Sequence, residues 1–82
     1  MRFLLYSRPG CGLCEEMLSD IAALPSARGI PIDVIDVDAS AQTRARFGHK
    51  IPVLFFAGDL VCHGRLDPEE VDKTLAHHRR PV

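Results

Sequence analysis

The sequence predicts an α/β fold, a four-stranded mixed sheet with helices on both faces, in the order strand-helix-strand-helix-strand-strand-helix. Two observations lead there. Short apolar runs bounded by Gly, Pro or Asp have the length and branched composition of strands, and segments between them repeat apolar residues at helical spacing. A tight turn joins the last two runs, whereas a helix-length crossover joins the first two. The sheet must therefore mix antiparallel and parallel neighbours.

Residues 2 to 6 are the first strand, ended by Ser7-Arg8-Pro9-Gly10. From Gly12 onward, Leu13, Met17, Ile21 and Leu24 recur at helical spacing and are predicted to face the core, with Glu15, Glu16, Ser19 and Asp20 outside. The acidic pair suits the positive end of the helix dipole, Pro25 stops the helix, and Arg28-Gly29 closes the connection. Residues 32 to 37 form the second strand, which Asp38 ends. Asp38 is also the expected cap of a short helix over 39 to 47, with Ala41, Ala45 and Phe47 inward and Gly48 as a left-handed C-terminal residue. Residues 52 to 56 and 60 to 63 then pair across an Ala57-Gly58-Asp59 turn. Asp67-Pro68-Glu69-Glu70 supplies a cap, a first-turn proline and a glutamate three after the cap, opening a last helix with Val71, Leu75 and His78 inward.

A chain of 82 residues encloses one core, so residues 1 to 82 are read as a single domain. With 46% apolar and 26% charged residues it has the composition of a globular protein rather than a disordered one. Net charge is −1, and the basic residues are dispersed apart from Arg79 and Arg80, so no nucleic-acid footprint is present. The opening apolar run is too short for a signal segment or a membrane span. These features point to a cytoplasmic monomer without nucleic-acid or membrane partners.

The chemistry lies in Cys11-Gly12-Leu13-Cys14, where the first loop meets the first helix. A cysteine at a helix N-terminus faces unpaired backbone N–H groups and the positive end of the dipole, and both favour thiolate over thiol. Cys11 is thus the predicted attacking sulfur. Cys14, three residues on and one turn deeper, is in reach to resolve a mixed disulfide. A bridge across so small a loop adds little to folding stability, which suits exchange better than structure. Arg8 favours the thiolate further if its side chain turns back toward Cys11. A zinc site is the competing use of the pair. Its further ligands would come from His49, Cys62, His63, His77 and His78, but Cys62 and His63 point to opposite faces of a strand, and His77 and His78 lie about 100° apart on a helix. No metal is therefore expected.

Arg8-Pro9-Gly10-Cys11-Gly12-Leu13-Cys14, together with Ile51-Pro52-Val53, resembles the thioredoxin superfamily, and within it a glutaredoxin-like branch. The likeness runs from Met1 to about Leu75 and implies the thioredoxin-like fold with the element order given above. It also implies that the Ile51-Pro52 bond is cis and that the Ile51 backbone lies beside Cys11, where an extended substrate could pair with it. Where glutaredoxins carry a Gly-Gly-x-Asp-like turn to hold glutathione, this chain has His63-Gly64-Arg65-Leu66-Asp67. There Arg65 is the candidate for a glutathione carboxylate and Asp67 for its amino group, although Asp67 already serves as a cap. The pair Gly12-Leu13 between the cysteines lacks the proline of many relatives.

The expected function is dithiol exchange on protein or glutathione mixed disulfides, with an external thiol reductant and no cofactor, glutathione being a candidate co-substrate. Two other readings stay open: a carrier using Cys11 to hold glutathione or an iron-sulfur cluster, and a non-catalytic adaptor that keeps the fold. Cys62 is expected to be a buried, inert strand residue on the same side as Leu60, His63 to face solvent, and Tyr6 to pack.

Overall fold

Three α-helices and four strands follow one another along the chain in a computed structural model that describes residues 1–79; Arg80 of the basic pair lies outside the described residues. Strands β1 (Phe3–Ser7), β2 (Ile32–Asp36), β3 (Val53–Phe56) and β4 (Asp59–His63) form one sheet in the order β2-β1-β3-β4. The β1–β2 pair is parallel, and β1–β3 and β3–β4 are antiparallel. Helix α1 (Gly12–Ala23) makes the crossover, α2 (Ala41–Phe47) joins β2 to β3, and α3 (Pro68–Arg79) follows β4. The mixed sheet and its sequence of elements are those the sequence predicts.

Pleating gives the two sheet faces different work. Phe3 and Leu5 stand opposite Phe56 and Leu54, and this face packs on Met17 and Ile21 of α1 and on Val71 and Leu75 of α3 to make the core. Leu4, Tyr6 and Phe55 alternate to the other face, where Phe47 of α2 stacks on Tyr6 at 4.7 Å. Helices therefore cover both faces, with the buried core on the α1–α3 side.

Several local expectations change. Leu13 is 47% exposed, and the inward stripe of α1 runs through Cys14, Met17 and Ile21 instead. Both stripes are helical in period; only the position of the sheet chooses between them. Strand β2 stops at Asp36, whose Oδ1 accepts from the Asp38 N–H at 2.9 Å, and this Asx turn sends the fully buried Val37 into a single 3-10 turn over Val37–Ala39. Asp38 does not cap the next helix because Arg8 holds its carboxylate, so Ser40 takes the cap, its Oγ accepting from the Thr43 N–H at 3.1 Å. The helix itself starts only at Ala41. Ala41 and Ala45 are exposed, since so short a helix reaches the sheet mainly through Phe47.

Gly48 is right-handed, with φ −55°; a Cβ there would lie 2.5 Å from the Arg44 carbonyl oxygen, so close approach rather than a left-handed turn calls for glycine. The hairpin turn has positive φ at both Ala57 (50°) and Gly58 (89°), which matches the right-handed strand twist. Cys62 is half-buried, not buried, and does not share a side with Leu60. A register shift pairs Leu60 with Phe55 but Cys62 with Leu54, so the bulge turns Cys62 to the core face while Leu60 stays 57% exposed. Asp67 caps α3 by accepting from the Glu69 and Glu70 N–H groups, and His78 faces inward, bonded to Asp59 at 2.8 Å beside Phe56.

Met17 is 1% exposed beneath the sheet. Met17→Ala should lower unfolding free energy by about 2–5 kcal/mol, whereas Val34→Ala, at a side chain 51% exposed, should stay within about 0.5 kcal/mol. The shift of the urea midpoint measures both.

Candidate functional site

Strand β1, in the middle of the sheet, ends at Ser7, and a turn closed by the Cys11 N–H on the Arg8 carbonyl, 3.2 Å, sets Cys11 at the head of α1. Cys11 has extended backbone angles, φ −87° and ψ 106°, and is the N-cap residue of the helix. Its Sγ accepts from the Cys14 N–H at 3.2 Å, so sulfur occupies the place a serine or aspartate oxygen usually takes. Cys11 and Cys14 are joined as a disulfide with Cα atoms 5.2 Å apart. Their exposures differ: Cys11 is half-buried at the surface, and Cys14 is 1% exposed on the core side of the helix.

A cleft of about 320 Å³ opens beside the pair, walled by Leu18 and Val34 and carrying Arg8, Glu15 and Asp36. Arg8 thus stands at the cysteines, but its guanidinium forks onto Asp38, with Nε to Oδ2 at 2.7 Å and Nη2 to Oδ1 at 3.0 Å. This clamp ties the cysteine loop to the connection after β2 and partly neutralises the charge that the sequence offers to the thiolate. The Arg8 hydrogen bonds hold the Asp38 carboxyl below its ordinary pKa, and the same contact raises that of Arg8.

The Ile51–Pro52 bond is cis, and the Pro52 carbonyl accepts from the Gly64 N–H at 2.8 Å, which fixes the start of β3 to the end of β4. Pro52 is buried and Ile51 half-buried; neither lines the cysteine cleft. Arg65 is exposed in a separate groove with Leu13, Glu16 and Asp20, on another flank of α1. The structure therefore brings Arg8 to Cys11 and Cys14 but gives Arg65 its own recess. Asp38 and Val34 are the neighbours that motif reading missed. A strand pattern cannot show that Val34 points to the cleft, and the only signal for Asp38 is an unpaired acid directly after a strand.

Cys62 is a different kind of thiol: burial pushes its pKa up against the opposing backbone hydrogen bond from Asp67. His63 is exposed. Among the described residues no three His, Cys, Asp or Glu side chains gather to hold a metal ion, and no helix is long and apolar enough to cross a membrane.

A mixed sheet of this order, a cysteine pair opening its first helix and a cis proline ahead of its third strand define a thioredoxin-fold protein. The chain belongs to the glutaredoxin-like domain family (DUF836), whose model matches residues 2–76. An uncharacterized Mycobacterium tuberculosis protein, Rv0508, is 37% identical over 77 residues, covering 88% of this chain and 79% of its own. The solution structure of Ne2328 from Nitrosomonas europaea is similar, with a TM-score of 0.79, 28% identity, and coverage of 89% of this chain and 88% of that one. A thioredoxin of Malassezia sympodialis shares the fold at a TM-score of 0.54 and 22% identity, over 93% of this chain and 72% of its own.

An acid held by a cation has its folded pKa depressed, so the stability it contributes is present above the unfolded value and is lost as pH falls through the folded one. The Asp38 carboxyl should therefore titrate below the ordinary value of about 3.9 in a carbon-detected NMR experiment. In Arg8→Gln its midpoint should move up toward that value.

Proposed function

We propose that this protein is a thiol–disulfide oxidoreductase that reduces protein or glutathione mixed disulfides through Cys11 and Cys14. The observation that carries the reading is the placement of Cys11 as the N-cap of α1, half-exposed, with its sulfur already accepting a backbone N–H. When the disulfide is reduced, that hydrogen bond and the helix dipole favour a negative sulfur over a neutral one. Cys14 is buried beneath it and within bonding distance.

The exchange balances without a cofactor. The Cys11 thiolate attacks one sulfur of the substrate disulfide, forming a Cys11–substrate bond and expelling the other sulfur as thiolate, which takes a proton from water. The Cys14 thiol then gives up its proton and attacks Cys11 Sγ, releasing the second substrate thiol and leaving the Cys11–Cys14 disulfide. Two electrons have passed from the dithiol to the substrate. An external thiol reductant returns them, with glutathione or a dithiol donor as the chemical class. In this reading the cis Ile51–Pro52 segment presents backbone for an extended substrate, Arg8 borders the attacking sulfur, and Arg65 offers a more distant contact for a substrate carboxylate.

Cys62 is assigned no part, because burial raises its thiol pKa and it sits on the core face of β4. Cys11→Ser should lower disulfide reduction roughly a hundredfold or more, since a hydroxyl replaces the nucleophile. Cys14→Ser should instead accumulate a Cys11 mixed disulfide, visible as a mass adduct. A Cys11→Ser protein as active as the wild type would overturn the assignment.

A further inference from the structure

The sheet face under α2 holds a second recess, of about 460 Å³, that shares no residue with the cysteine cleft. Its size falls within the range of small-molecule sites, about 300–1,000 Å³. The floor is aromatic. Tyr6 and Phe47 stack at 4.7 Å, and Phe55 meets both edge-on at 5.9 and 5.7 Å. These are three of the five aromatic residues of the chain, and all three are half-buried, whereas Phe3 and Phe56 on the core face are 0% and 3% exposed. The seven-residue α2 buries none of its own side chains and so leaves this floor open.

The rim carries charge of one sign in excess. Arg2 Nη1 donates to both Asp33 carboxylate oxygens, at 3.0 and 2.9 Å, so that pair is internally balanced. Arg46 has its guanidinium carbon 5.0 Å from the centre of the Phe47 ring and, among the described residues, no carboxylate partner. Gln42 and Tyr6 line the same recess, and the amide of one and the hydroxyl of the other likewise make no side-chain hydrogen bond to the described residues. A recess whose aromatic walls include a Phe55 ring set at steep angles to the other two, a guanidinium without a carboxylate partner among the described residues and two neutral polar groups are complementary to a small ring bearing an anion.

We propose that this recess is a binding site for a small aromatic anion, its ring packed against the aromatic walls of Tyr6, Phe47 and Phe55 and its phosphate or carboxylate meeting Arg46. The proposal goes beyond the thiol chemistry and does not depend on it. Two anion types share the recognition, so both are tested: adenosine 5′-monophosphate and 1-naphthoate, with adenosine as the uncharged control. Amide NMR spectra of the full-length protein, at ligand concentrations up to the millimolar range, should show saturable shifts at Gln42, Thr43 and Gly58 for at least one anion. Cys11 and Gly12 should not move. Arg46→Gln, at an exposed position that leaves the fold intact, should weaken binding roughly tenfold, the scale of one charge-assisted contact. Tyr6→Phe should weaken it less. If both anions saturate nothing, if adenosine binds as well as its monophosphate, or if Arg46→Gln binds as the wild type does, the proposal fails. A phosphate preference and a carboxylate preference would each support it and would identify the anion.

Discussion

Unpaired backbone N–H groups at the mouth of α1 are the constraint around which this molecule is arranged. A helix leaves its first donors without partners, and most proteins answer them with an oxygen from Ser, Thr, Asp or Asn. Here the Cys11 sulfur answers, accepting from the Cys14 N–H, and the rest of the α1 side of the structure holds that contact in place. Strand β1 ends beside it, the Arg8–Cys11 turn aims it, and Met17 and Ile21 anchor the helix against the sheet. The core thus also fixes the direction in which a helix presents its positive end.

The two sheet faces divide the work unequally. The face under α1 and α3 is closed and apolar, with Phe3, Leu5, Leu54 and Val71 essentially fully buried. The face under α2 is thin, because a helix of seven residues covers little of a four-stranded sheet. Folding stability comes mainly from the first face, since buried apolar area is the dominant favourable contribution. The second face keeps aromatic surface accessible without weakening the core, and it does so away from the cysteine pair.

Much of this was legible along the chain. Branched apolar runs between Gly and Pro punctuation marked the strands, the Asp67-Pro68-Glu69-Glu70 segment marked the start of α3, and the crossover rule set the direction of β2. The cysteine pair was visible as a motif at a strand-to-helix junction. Some missed features were local, such as the Asx turn at Asp36, but the following ones depended on a partner distant in sequence. Asp38 looked like a helix cap until Arg8, thirty positions earlier, took its carboxylate and left Ser40 to cap α2. Strict alternation put Cys62 with Leu60, and the bulge against β3 separated them. Leu13 and Cys14 were equally good starts for an inward stripe, and the sheet chose Cys14.

The sequence by itself determined which elements form, in what order, and that two cysteines three apart would open the first helix, because periodicity, turn chemistry and capping act over a few neighbouring residues. Tertiary structure alone decided the surroundings of those cysteines: Arg8 clamped to Asp38, Arg65 placed in a separate groove, Cys14 buried, and an aromatic recess left open under a short helix. Such outcomes depend on which side chains meet across strands and helices far apart in the chain. No local pattern of residues encodes that meeting before the sheet is assembled.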